Sequence, residues 1–259
     1  MTPLVWIVTF CLLGGALSVV AAALFLRLGP VGERRLPDLV SFATGTLLGT
    51  AFLALLPHAL QAPGRPDPHS VMIAVLAGVL AFFALEKFVL WRHCHAPECD
   101  AHAPAEPTDV RRPAGTLILV GDSLHNFVDG VLIAAAFLVD VHLGVVTSLA
   151  VAAHEIPQEV GDFAILLHSG YTRARAFAYN LLSGLATVAG GLVGWAALAP
   201  ATGLLGYVLA VAAASFLYIA VADLIPDLHR RLAPGETVRQ LLLIAAGVAA
   251  VALGHTAAH

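Results

Sequence analysis

HNFVDGVLIAAAFLVDVHLGVVTSLAVAAHEIPQEVGD, residues 125–162, decides the fold. It consists of two apolar runs joined by the turn VDVH at 139–142, with ionisable side chains gathered at both far ends. Two helices joined by so short a turn pack antiparallel, so the polar ends HNFVDG and HEIPQEVGD can face each other across one interface. Helix positions three and four apart share a face. Asp122, His125, Asn126 and Asp129 therefore form one stripe, and His154, Gln158 and Asp162 form a ladder with Glu155 and Glu159 beside it.

The rest of the chain agrees with an all-α integral membrane fold. Of 259 residues, 59% are hydrophobic and 12% charged, against roughly 45–50% apolar and about 25% charged in soluble domains. A hydrocarbon core needs roughly 20 apolar residues per helix. Pro, Gly and charged punctuation predicts eight transmembrane helices, near 4–28, 39–60, 70–90, 114–138, 143–167, 176–199, 204–226 and 239–258, in a single transporter-like domain over 1–259. The first run is too long for a signal-peptide core and is expected to be retained. Twelve of the 13 basic residues fall on one side of this arrangement, with Arg65 on the other. Because cytoplasmic loops carry the Lys and Arg excess, both termini are expected outside the cytoplasm. The segment 91–113, WRHCHAPECDAHAPAEPTDVRRP, is expected to be a flexible cytoplasmic loop whose His and Cys could collect metal weakly or be incidental to a solvated linker. Cys94 and Cys99 are expected as thiols in that reducing compartment, and Cys11 as a packing residue.

Ionisable groups inside a membrane cost at least about 2.5–3.5 kcal/mol each and mark ion paths or relays. A lone membrane His or Asn is often just an interhelical hydrogen bond; two facing clusters on consecutive spans are not so explained. A divalent cation would offset the cost. Imidazole, carboxylate and amide oxygen suit Zn²⁺, with Fe²⁺, Mn²⁺ or Co²⁺ admitted by ligand type, and the lack of thiolates argues against Cu⁺. Pro157 frees the carbonyl of Ala153, an irregularity tolerated where backbone lines a cavity.

A repeated phrase points to transport. LLPHAL (55–60) ends span two on one face, and LIPDLH (224–229) ends span seven on the other. That is how an inverted repeat should read, with spans one to three related to six to eight around a central pair. His58 would then lie toward the outer mouth, and Asp223, Asp227 and His229 toward the inner one.

HNFVDG followed by HEIPQEVGDF, with FLYIAVADLIPDLH late in the chain, resembles the paired signature of the ZIP (Zrt-, Irt-like protein) family of divalent-metal transporters. The resemblance implies eight helices in a 3+2+3 arrangement with an inverted repeat, a homodimer, and import of Zn²⁺ or a similar cation, Cd²⁺ included, by alternating access. It carries metal ligands over to His125, Asn126, Asp129, His154, Glu155 and Gln158. Asn180 would complete the second of two adjacent sites, sharing Asp129 and Gln158 with the first. Position 158 is Gln where relatives have His or Glu, which removes an anionic or imidazole ligand. Position 54 is Ala where many relatives have His, leaving His58 for the outer entrance. A signal-less, compact chain with a minimal loop suggests a bacterial inner membrane.

Rival readings lose key residues. A metalloprotease would want HExxH, and its second His is here Gln158; a di-iron bundle would want paired Glu-x-x-His. No phosphate-binding loop appears for ATP, and nothing suggests enzymatic chemistry, an organic cofactor or nucleic acid. A proton or cation channel and a membrane metal sensor stay open. The expected cycle runs from His58, through His125, Asp129, His154 and Glu155, to release past Asp223 and Asp227, with Asp122, Glu159 and Asp162 bordering the path.

Overall fold

The computed structural model describes residues 2–27, 29–93, 111–230 and 234–256. Among these the regular elements are helical, without a strand. Helix α1 is Pro3–Arg27; α2 is Pro30–Gly49, continuing through a π-helical stretch, Thr50–Leu55, into Leu56–Gln61; α3 is Pro68–His93. Helix α4 is Arg111–Val139, α5 is Val141–His168, and α6 comes in two pieces, Arg173–Gly184 and Ala186–Leu198. Helix α7 is Leu205–Tyr218, continuing through a second π-helical stretch, Ile219–Leu224, into Ile225–Leu228; α8 is Pro234–Thr256. The helices reach His93 and Arg111, so most of the expected loop, 94–110, lies outside the described residues, Cys94 and Cys99 with it.

Each expected span is a helix. Seven of the helices among the described residues are long and apolar enough to cross a membrane. Helix α5 is as long, 28 residues, but His154, Glu155, Gln158, Glu159 and Asp162 make it less apolar. It lies inside instead, packed on α1, α2 and α4. The remaining main pairings are α4 with α6 and α7, α2 with α7 and α8, α1 with α6, and α3 with α7. Helices α3 and α8 are peripheral, with only 11% of Pro68–Leu85 and of the apolar stretch within Gly235–Gly254 buried.

Both π-helical stretches end just before a proline, Pro57 in α2 and Pro226 in α7. Proline lacks an N–H and its ring pushes away the carbonyl four residues earlier, so the preceding turn widens. The phrases LLPHAL and LIPDLH thus share a backbone irregularity as well as residues.

Three helix pairs approach to backbone contact, one of them α1 with α6, where a Cβ on Gly15 would overlap the Gly184 carbonyl. A Cβ on Gly130 of α4 would overlap the Thr187 carbonyl of α6, and one on Gly190 of α6 would overlap the Phe127 carbonyl of α4. Gly45 of α2 and Gly247 of α8 meet the carbonyls of Ile244 and Phe42 in the same way. Small residues permit such approach where no hydrophobic effect drives helices together in lipid.

The turn between α4 and α5 sets the register of the central pair. Asp140 caps α5, its carboxylate accepting from the backbone N–H groups of His142 (2.8 Å) and Leu143 (3.0 Å). Burial pushes this carboxyl up, but the two donors outweigh it, with help from the charges of His142 and His58, and hold it below the usual range.

Candidate metal centre

Asp129 lies one turn beyond His125 on α4, and His154 and Glu155 are adjacent on α5. The antiparallel pairing brings one ligand atom from each of the four within 4.8 Å of the others. The two imidazole Nε2 atoms are 3.2 Å apart. His154 Nε2 is 3.3 Å from Asp129 Oδ2 and 4.0 Å from Glu155 Oε1; His125 Nε2 is 3.7 Å and 3.5 Å from the same two oxygens. Tetrahedral zinc with bonds of about 2.0–2.2 Å holds its ligand atoms about 3.3–3.6 Å apart. The observed spacings bracket that range.

Burial and hydrogen bonding point the same way. Asp129, Glu155 and His154 are at most 1% exposed, and no oxygen of either carboxylate has a hydrogen-bond partner. An unpaired buried polar group costs about 1–3 kcal/mol, and a charged one more. Four such oxygens on one spot call for a cation. His154 Nδ1 donates to the Ala150 carbonyl at 3.1 Å, since a carbonyl can only accept. That fixes the tautomer and turns the Nε2 lone pair toward the cluster. The Phe216 ring stands edge-on against His154, centroids 6.0 Å apart, and closes the site on the α7 side.

A second group, Asp122, Glu155 and Glu159, has carboxylate oxygens equally close together. Glu155 is the member common to both. Asn126, between them, is held rather than free. Its amide donates to Asp122 Oδ1 (2.9 Å) and to the Asp122 carbonyl (3.1 Å), and its oxygen accepts from Thr187 Oγ1 (2.8 Å). Asn180 is 1% exposed with an unpartnered amide oxygen.

Gln158, the His125 and His154 rings, Asp223 and Asp227 border one cavity of about 750 Å³ between α4, α5 and α7. It runs past Gly161 and Pro226 to Arg230, so its mouth lies at the arginine-rich end. Asp162 is partly buried one turn beyond Gln158, and His229 is exposed at the end of α7. His58 is at the opposite end, its Nδ1 donating to the Ala54 carbonyl at 2.8 Å, near enough to Asp140 for its charge to be felt there.

The sequence reading did not single out Ser123, Ser183 and Thr187, which organise this region. Ser123 and Ser183 hydroxyls are 2.9 Å apart, joining α4 to α6 beside the Thr187–Asn126 bond. The signal was present: Asn180, Ser183 and Thr187 recur at helical spacing, one polar stripe on α6.

The chain is similar to known proteins. A family model described as ZIP Zinc transporter matches residues 3–111 and 92–254. Human zinc transporter ZIP13 is 35% identical over 266 residues, covering 86% of this chain and 71% of that protein. Rat zinc transporter SLC39A7 is 31% identical over 334 residues, covering 92% and 70%. The zinc transporter ZIP13 homolog of Drosophila melanogaster is 30% identical over 278 residues, covering 86% and 78%.

Proposed function

The chain belongs to the ZIP zinc transporter family, and from that premise we propose that it carries Zn²⁺ across a membrane through the cluster between α4 and α5. The family is one of transporters, not enzymes. The observation that carries the proposal is the meeting of His125, Asp129, His154 and Glu155 at zinc-ligand spacing, with four carboxylate oxygens left without hydrogen bonds in the interior. Two imidazoles and two carboxylates suit Zn²⁺, and by ligand type also Fe²⁺, Mn²⁺, Co²⁺ or Cd²⁺. Gln158, Asn126 and Asn180 are the further candidate ligands, for a second cation beside the first.

Transport is inward in this reading, and three features support it. The arginine excess favours a cytoplasmic position for the cavity mouth at Arg230 and an outer one for both termini. On the other side of the cluster Leu47, Ala51, Leu209 and Ala213 are fully buried, as expected of an inward-open state rather than a continuous channel. A potential of 100 mV, negative inside, would supply about 4.6 kcal/mol for two charges. Zinc enters past His58, is held at the cluster and leaves along Asp223 and Asp227, with Asp122, Glu159, Asp162 and His229 flanking the exit.

The helix pairings favour the 3+2+3 inverted repeat. Exchanging α1 with α6, α2 with α7, α3 with α8 and α4 with α5 turns α4–α6 contact into α5–α1, α2–α8 into α7–α3, and α2–α5 into α7–α4, all present. The glycine-mediated contacts tie α4 and α1 to α6, and α2 to α8. They favour two rigid units sliding past each other, with the cluster on one of them. A homodimer would use the peripheral faces of α3 and α8. A compact chain with so short a loop at 91–113 suits a bacterial inner membrane.

The test is uptake of radiolabelled Zn²⁺ by proteoliposomes holding the purified protein. Saturable uptake, lost in His125→Ala and His154→Ala proteins reconstituted equally well, is the expected result. Uptake no greater than in empty liposomes would defeat the proposal.

A further inference from the structure

A second cavity, of about 510 Å³, lies away from the metal path, where the end of α1, the end of α5 and the start of α6 meet. Its wall is apolar, formed by Ala23, Leu26, Phe163, Leu167 and Phe177, and its rim carries Arg27 and Arg173. Both arginines are exposed and stand at the ends of membrane-crossing stretches, Pro3–Arg27 and Arg173–Leu198, which is headgroup level. The wall residues sit deeper: Ala23 is one turn inside Arg27, and Phe177 one turn inside Arg173.

Among the described residues no acidic group compensates the charge on this rim. Arg35 and Arg239 pair with Asp38, and Arg230 pairs with Asp227. Neither Arg27 nor Arg173 has an acidic partner among the described residues. A cationic rim above an apolar groove is complementary to an amphiphile with an anionic head and a hydrocarbon tail, and basic recesses between membrane helices hold such lipids. We propose that the groove binds one anionic phospholipid, its phosphate between Arg27 and Arg173 and one acyl chain against Phe163 and Phe177. The site joins α1, α5 and α6, so the lipid would brace the helix that carries His154 and Glu155 against its neighbours.

Native mass spectrometry of the purified full chain tests this, after exposure to equal amounts of phosphatidylglycerol and phosphatidylcholine with identical chains. The wild type should retain phosphatidylglycerol preferentially. Arg27→Gln and Arg173→Gln should each lower that retention about fivefold. Ala23→Trp, which fills the groove without changing charge, should lower it too, and Arg230→Ala should leave it unchanged. Equal retention of the two lipids by the wild type would overturn the proposal. So would an equal loss in Arg230→Ala, or full retention in Ala23→Trp, since either means surface charge alone. Glycerol phosphate competing as well as the whole lipid would likewise remove the acyl chain from the site. Should a glutamine protein fail to fold, the lipid preference of the wild type and the Ala23→Trp comparison still decide.

Discussion

Asp129 and Glu155 are fully buried, accept no hydrogen bond, and lie against two imidazole nitrogens. Side chains so placed are poor investments for folding and good ones for holding a cation, so their replacement should separate the two. Glu155→Gln should leave the protein folded while zinc affinity, read by competition with a chelating dye, falls by at least about 10–100-fold, the loss typical of disturbing even the residues behind a ligand. Unchanged affinity would remove Glu155 from the site. Thr187→Ala acts one step back: it strips the Asn126 oxygen of its donor, at a cost of about 1–3 kcal/mol, visible as a lower thermal midpoint. Most of this was legible in HNFVDG and HEIPQEVGD, because helical spacing alone sorts their side chains onto facing stripes. The role of Thr187 was not, since it lies 61 positions from Asn126 and only the packing of α6 on α4 brings them together. Asp140 offers a test outside the membrane. Its carboxyl is held below the usual range, so the charged cap stabilises α5 at neutral pH, and this contribution should fade as pH falls through its lowered folded value. Asp140→Ala should cost about 1 kcal/mol at neutral pH and little in acid. A difference that persists unchanged in acid would contradict the charged-cap assignment.

The elements carry a second layer of meaning. Helix α4 touches α6 through Gly130 and Gly190, where any Cβ would meet backbone. Gly190→Leu should wedge the two apart, costing about 1–3 kcal/mol or more, and should distort the site through Asn126 and Thr187. Wild-type stability and zinc affinity in that protein would show that the close approach is dispensable. Helix boundaries were largely readable from apolar runs and proline. The π-helical turns in α2 and α7 were not, although Pro57 and Pro226 marked where they end. Proline announces a broken hydrogen bond, but whether the chain kinks or widens depends on what packs around it.

At the scale of the whole molecule, the cavity opens at the arginine-rich end and the opposite side is packed with Leu47, Ala51, Leu209 and Ala213. In a cysteine-free background, Ala222→Cys on the cavity wall should react with a membrane-impermeant maleimide only when the reagent has access to the side bearing Arg230. Ala213→Cys, fully buried, should not react from either side. Labelling of both from the opposite face would reverse the orientation. The eight helices could be read from the apolar runs, but the interior position of α5 required the structure, because its polar side chains are tolerable only once α1, α2 and α4 surround them.

The measurement that bears most directly on zinc passing between α4 and α5 is the initial rate of Zn²⁺ uptake by proteoliposomes containing Asp129→Asn. This substitution keeps the shape of the side chain and removes its charge. Uptake at the level of empty liposomes, with folding and reconstitution matching the wild type, is the expected result. Saturable uptake at the wild-type rate and KM would mean that the metal crosses this protein by some other route.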